Sequence, residues 1–195
     1  MHLNSLLLYK KYALPVLKPE QRLLEIGPDS IPVSTYRQAT PNGPSVWETI
    51  DLSPYPGLTY KAVDEYHFSL PDDMFDVVLS GQVLEHVRKP WVWMKEVARV
   101  CKPGGIVITI NPVSWPYHEA PVDCWRIYPE GHRALAEDSG LTVELAEFDC
   151  LEWPEHRLRR PGKTIVPKWW AVAIRSALNL RFEGAFDTIC IARKK

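Results

Sequence analysis

Apolar positions fall in short runs, most of them closed by a glycine, a proline or an acidic residue. Residues 3–17 predict an N-terminal helix, apolar at Leu6, Leu7, Tyr12, Ala13 and Leu14 and stopped near Pro15, whose ring removes a backbone donor. Arg22 to Ile26 is a short, largely apolar run ending in Gly27-Pro28, which suits a buried parallel strand. Further strands are predicted at Ser45 to Ile50, ending at Asp51, at Leu58 to Val63, ending at Asp64, and at Phe75 to Leu79. The segment between Gly27 and Ser45 is rich in Pro, Ser and Thr, so its helix is brief or starts late, near Val33. Trp91 to Cys101 has a helical spacing of Val92, Val97 and Val100, with Lys102-Pro103-Gly104-Gly105 as its stop. Gly105 to Ile110 is a β-branched strand.

A loop from Asn111 to Asp123 follows, then a predicted helix from Pro129 to Ser139, ended by Gly140. Leu141 to Phe148 and Phe186 to Ala192 predict two more strands around an insertion, Leu151 to Glu183, with a helix expected at Lys168 to Leu180. Strands alternating with helices at short intervals indicate an α/β fold with a doubly wound parallel sheet. One domain over residues 1–195 is expected, the insertion forming a lid-like excursion.

The composition narrows the function. A formal net charge of −1 argues against general nucleic-acid binding, which needs a basic excess to neutralise phosphates. Cys101, Cys124, Cys150 and Cys190 are widely spaced, with no CxxC pair, and read as reduced thiols. The N-terminus lacks the basic start of a signal peptide, and no apolar run approaches the ~20 residues of a membrane span, so a cytoplasmic location is expected. His67, His132 and His156 lack metal-ligand spacing, and no metal is expected.

In an open α/β sheet, ligands bind beyond the carboxyl ends of the strands. The informative residues are therefore Glu25, Gly27, Asp51, Asp64, Ser80, Gly81, Gln82 and Asn111. An ionised carboxylate after the second strand can accept from both hydroxyls of a ribose, and one after the third can accept from an adenine amine. A glycine after the first strand lets backbone approach a ligand closely. GxGxxG is absent, so no pyrophosphate cradle is offered to a nicotinamide cofactor.

From Arg22 to Gly140 these residues resemble the class I methyltransferases that use S-adenosylmethionine (SAM), in the broad methyltransferase-11-like branch. Carrying the resemblance are Asp64, then Leu70-Pro71-Asp72-Asp73-Met74-Phe75-Asp76-Val77-Val78, then Val83-Leu84-Glu85-His86, and the helix before Lys102-Pro103-Gly104-Gly105. It implies a Rossmann-like, seven-stranded, mostly parallel sheet with one antiparallel strand and helices on both faces. It also implies SAM as cofactor and S-adenosylhomocysteine as product. Glu25, Gly27, Pro28 and Asp29 would form the cofactor loop, with the Asp29 carboxylate near the ammonium group. Asp51 would hold the ribose, Asp64 would face the adenine amine, and Ser80, Gly81 and Gln82 would lie beside the methionine part. Leu52, Glu65 and His86 are further candidate cofactor contacts. Glu85-His86 opens a helix and can equally hold the loop in place.

The family usually has two or three glycines in the cofactor loop, whereas this chain reads Gly27-Pro28-Asp29-Ser30-Ile31-Pro32. Asp29 tolerates positive φ, which would preserve the turn. The segment Asn111 to Arg126 looks like a variant associated with saccharide methylation. His118 is the candidate base and Asp123 its orienting acid; Asn111, Trp115, Tyr117, Trp125 and Arg126 are candidate acceptor contacts. The expected function is methyl transfer to a small-molecule or saccharide acceptor, at a hydroxyl, with N- or C-methylation left open. The alternative is a degenerate, non-catalytic scaffold or partner subunit. The insertion, with Trp169 and Trp170, would cover the acceptor or make a homodimer contact.

Overall fold

The structure is a computed structural model that describes residues 3–119, 121–151, 159–160, 163–164, 177 and 186–195. Its main sheet has seven strands in the order β3-β2-β1-β4-β5-β9-β6. They are β1 (Arg22–Ile26), β2 (Val46–Asp51), β3 (Tyr60–Lys61), β4 (Phe75–Gly81), β5 (Cys101–Pro112), β6 (Leu141–Asp149) and β9 (Asp187–Lys194). A separate pair, β7 (Arg159–Arg160) and β8 (Lys163–Thr164), is antiparallel. β9 runs antiparallel to both β5 and β6, whereas the other pairings are parallel. The chain thus has the expected Rossmann-like sheet with one reversed strand.

Alternate strand residues supply two cores. Leu24, Val78 and Val107 face the layer containing Trp93, Met94 and Val97 of α3 (Pro90–Val100) and Ala136 of α4 (Pro129–Asp138). Leu23, Val77, Leu79, Ile108 and Ile110 face Leu8, Tyr9 and Ala13 of the N-terminal helical segment. This alternation is the pleat of a strand buried on both sides. Proline opens both α3 and α4 at a position where its missing N–H has no helical partner to lose.

Three local features differ from expectation. The helix over residues 3–17 divides into α1 (Leu3–Leu8), a π turn (Tyr9–Ala13) and a 3-10 turn (Leu14–Val16), as Pro15 cannot continue the α ladder. The third strand shrinks to Tyr60–Lys61, paired only to Ile50 and Asp51. Lys102 to Gly105 bulge out within β5, because Cys101 pairs with Phe75 and Ile106 already pairs with Val77. The brief helix expected after Gly27 is α2 (Thr35–Gln38), capped by Ser34. The helix expected at Lys168 to Leu180 lies outside the described residues except for Ala177, which is helical.

Candidate functional site

Parallel pairing of β2, β1 and β4 brings their carboxyl ends to one edge of the sheet. Gly27 leaves β1 with its N–H on Ile50 O (2.9 Å) and φ at +67°. A Cβ there would lie 2.4 Å from Val83 Cγ2, so glycine is required twice over, by conformation and by space. The positive φ falls on Gly27 and not on Asp29, which corrects the expectation for this turn. Asp29 instead spends both carboxylate oxygens on Thr35, accepting from its N–H (2.9 Å) and its hydroxyl (2.6 Å), and so braces the start of α2.

Beyond Gly27 lies a cavity of about 260 Å³. Ile26, Ile50, Ala62, Phe68, Val87 and Trp93 give it apolar walls, and Asp51, Asp64, Glu65, Gln82 and His86 bring polar groups to it. Leu52 and Val83 also line it. Asp51 Oδ1 accepts from Ser53 N–H (2.9 Å), and Oδ2 has no partner among the described residues. The Asp64 carboxylate accepts from the Tyr66 N–H (2.6 Å) and meets the His67 ring (2.9 and 3.0 Å), which hold it below the usual carboxylate range. Glu65 pairs with Arg88 (3.0 Å).

Other predicted cofactor residues stand behind this wall. Glu25 is buried and accepts from Ser34 Oγ (2.5 Å) and Trp47 Nε1 (2.7 Å); burial pushes its carboxyl up to about 7. Its neighbours make it a brace between β1, β2 and the α2 cap. Pro28 is not among the cavity-lining residues. The buried Ser80 Oγ has no hydrogen-bond partner among the described residues. At Gly81 a Cβ would fall 2.3 Å from Tyr36 Oη, so close packing by α2 excludes any side chain there. Gln82, at φ +60°, sends Nε2 to Ser5 Oγ (2.7 Å) and Asp187 Oδ1 (3.3 Å), tying the N-terminal helix to the cavity rim.

The loop after β5 closes over the same edge, and Pro121 lines the cavity. Its anchor is Glu85, whose main-chain carbonyl accepts from Cys124 N–H (2.8 Å) and Trp125 N–H (3.3 Å). The buried Glu85 carboxylate accepts from Asn111 Nδ2 (3.0 Å) through Oε2, while Oε1 has no hydrogen bond. Burial raises the Glu85 pKa. Asp123, its side chain 1% exposed, pairs with both terminal nitrogens of Arg126 and accepts from His118 N–H (2.9 Å). Arg126 first, then the His118 amide, hold the Asp123 carboxyl well below its ordinary range. The Asp123 contact with His118 therefore runs mainly through the main chain, as ring Nδ1 lies 3.4 Å away. Arg126 also reaches the Trp125 and Trp115 carbonyls.

Trp125 donates Nε1–H to Val87 O (2.9 Å) and meets Trp91 edge-on at 6.2 Å between centroids. Trp115 and Tyr117 are exposed, and Tyr117 donates to Glu119 (2.5 Å). The rings of His86 and His118 meet edge to face, 5.0 Å apart. Tertiary folding thus brings Gly27, Asp51, Leu52, Asp64, Glu65, Gln82 and His86 to the cavity, with His118 beside His86. The apolar wall and Pro121 escaped the sequence reading, since nothing local marks a core residue that also faces a ligand.

An apolar slot with carboxylates at the ends of β2 and β3, entered past a glycine at positive φ, fits an adenosine-type cofactor. Residues 36–109 match the family model of the methyltransferase domain. Over these residues the chain is similar to the class I SAM-dependent methyltransferases. It is 38% identical over 143 residues to a 2-methyl-6-phytyl-1,4-hydroquinone methyltransferase of Synechocystis, an alignment covering 69% of this chain and 42% of that protein. Over 95 residues it is 51% identical to an uncharacterized methyltransferase of Mycobacterium leprae, covering 42% of this chain and 35% of the relative. The chain spans between 20% and 42% of the length of the curated relatives it matches.

Among solved structures, a SAM-dependent methyltransferase from Mesorhizobium loti superposes with a TM-score of 0.61 at 18% identity, covering 97% of this chain and 98% of the other. Haemonchus contortus phosphoethanolamine N-methyltransferase 2, solved with SAM, gives 0.60 at 16% identity and covers 97% of this chain and 52% of that one. At these identities the structural likeness concerns the fold. No helix among the described residues is long and apolar enough to cross a membrane.

Proposed function

We propose that this chain transfers the methyl group of SAM to a hydroxyl of a small-molecule or saccharide acceptor. The observation that carries the proposal is the continuity of the cavity at Gly27, Asp51 and Asp64 with the loop after β5, through Pro121. In this reading Asp51 accepts from the ribose hydroxyls, and the apolar wall of Phe68, Val87 and Trp93 takes the adenine. When bound, the cofactor supplies a methyl group already activated on a sulfonium. The protein's own residues then have to align an acceptor and exclude water. His118 is assigned to the acceptor side, with Asp123 fixing its main chain and Arg126. Asn111, Trp115, Tyr117 and Trp125 frame the acceptor entrance. A hydroxyl must lose its proton for transfer, so an acceptor-side device for proton removal is required.

Calorimetry with SAM and S-adenosylhomocysteine tests the reading directly. Micromolar binding of both is expected. Absence of binding by either would overturn the proposal in favour of a non-catalytic scaffold.

A further inference from the structure

Glu85, His86 and His118 each bring one potential ligand atom within 4.8 Å of the other two. His118 is far from the Glu85-His86 pair in sequence, so spacing along the chain does not announce the group, and only the fold of the loop after β5 assembles it.

Three observations show that these donors are left uncommitted. First, Glu85 is buried, and its Oε1 finds no hydrogen-bond donor. A buried carboxylate oxygen without a partner is costly and calls for an explanation. Second, His86 Nδ1 faces the Val122 carbonyl, which can only accept; a neutral ring therefore carries its proton on Nδ1 and its lone pair on Nε2. That Nε2 lies 3.8 Å from Glu85 Oε1, beyond hydrogen-bond distance and near enough for both atoms to reach one cation. Third, His118 Nδ1 faces Pro116 O (3.2 Å) and lies 3.4 Å from Asp123 Oδ2, which again leaves Nε2 with the lone pair. An imidazole with its far nitrogen held by a carbonyl or carboxylate is how proteins orient a metal-binding histidine.

We propose that Glu85, His86 and His118 bind one divalent cation of the zinc class, leaving an open position for the acceptor oxygen beside the methyl-transfer cavity. Two imidazoles and one carboxylate are a donor set zinc accepts with three protein ligands and one exchangeable position. Ligands of a tetrahedral zinc, at 2.0–2.1 Å from the metal, stand about 3.4 Å apart, close to the 3.8 Å between Glu85 and His86. Asp123 and Arg126 nearby compensate one another, so Glu85 leaves a net negative charge for the cation. His86 also lines the cavity, so an oxygen held here stands beside the bound cofactor.

This placement deepens the proposed function and rests on it for its chemistry. An acceptor hydroxyl bound to the cation loses its proton to solvent at neutral pH. The alkoxide oxygen then forms the bond to the methyl carbon as the carbon–sulfur bond breaks, and the electron pair stays on sulfur as the neutral thioether. The cation, and not free imidazole, would then remove the need for a strong base.

The test uses the intact chain, dialysed against a chelator and titrated with Zn²⁺ by calorimetry and with Co²⁺ by visible absorption. One equivalent is expected, with cobalt bands typical of nitrogen and oxygen ligands. Glu85→Gln and His118→Ala should each weaken binding by at least about tenfold. His118 lies on a partly exposed loop, so its truncation leaves the core intact. Cys124→Ser should leave metal affinity unchanged, which excludes capture by the exposed thiol. Failure of the wild type to take up one equivalent overturns the site, as does a His118→Ala protein that binds like wild type, or cobalt bands that vanish with Cys124. SAM affinity is measured on the same samples. Metal uptake without SAM binding supports the cation site and overturns the methyltransferase reading; SAM binding without metal uptake does the reverse.

Discussion

Replacing Glu25 by glutamine should tilt the acid dependence of folding stability in one direction, and replacing His132 should tilt it in the other. Glu25 lies under the turn at Gly27, where burial lifts its carboxyl from 4.5 to about 7. His132 on α4 is fully buried, with Nδ1 3.2 Å from Thr109 Oγ1 and no partner for Nε2 among the described residues; burial lowers it from 6.5 to about 4. The folded-state pKa of Glu25 is raised, so its stabilising contribution is complete below pH 4.5 and is lost as pH climbs through 7. That of His132 is lowered, so its contribution is complete above pH 6.5 and is lost as pH falls through 4. Between pH 4.5 and 6.5 the folded state holds a proton on Glu25 that the unfolded chain lacks, and lacks one on His132 that the unfolded chain holds. Each group alone gives a slope of about 1.4 kcal/mol per pH unit, with opposite signs, so the two cancel in the wild type. Across that window Glu25→Gln should gain about 3 kcal/mol relative to wild type as pH rises, and His132→Gln should lose about as much. Urea denaturation at pH 4.5, 5.5 and 6.5 reads the difference for each variant. Parallel profiles for wild type and Glu25→Gln would refute the placement of Glu25 as a buried, neutral acid.

Gly27→Ala combines positive-φ strain with a methyl placed 2.4 Å from Val83 Cγ2, and should cost about 2–4 kcal/mol in urea unfolding; a loss below 1 kcal/mol would mean the turn is not held as described. Asp51→Asn removes a charge-assisted acceptor from the proposed ribose site and should weaken SAM binding about tenfold or more by calorimetry, with the melting temperature little changed. Arg126→Ala strips the buried Asp123 of both guanidinium hydrogen bonds; a loss of about 2 kcal/mol is expected, together with faster proteolysis between Asn111 and Arg126. Unchanged proteolysis would show that Asp123 does not organise this loop.

Much of the architecture was legible along the chain because the signals are local. A strand such as Phe75–Gly81 is specified by its apolar side chains, and α3 by a proline at its start and apolar residues at helical spacing. The ends of strands mark where ligands bind in such sheets, so Asp51 and Asp64 could be singled out from order alone, and both line the cavity. Roles were less legible. Glu25 and Asp29 have the residue types of a cofactor loop, yet Ser34, Trp47 and Thr35 take up their carboxylates. A carboxylate serves whichever donor packing brings to it, and a donor 22 residues away in the chain, as Trp47 is from Glu25, gives no local sign.

By itself, then, the sequence determined the order of elements, the α/β class and the glycine at the end of the first strand, because periodicity, turn chemistry and φ limits act within a few residues. Only the tertiary structure decided which polar groups share a space. Parallel pairing of β1, β2 and β4 joined Gly27, Asp51 and Gln82 around one cavity. Glu85 drew the loop after β5 inward through its carbonyl, and this set His118 beside His86. The physical reason is the range of the forces involved: hydrogen bonds and metal-ligand contacts act over a few ångströms in space, whatever the separation along the chain.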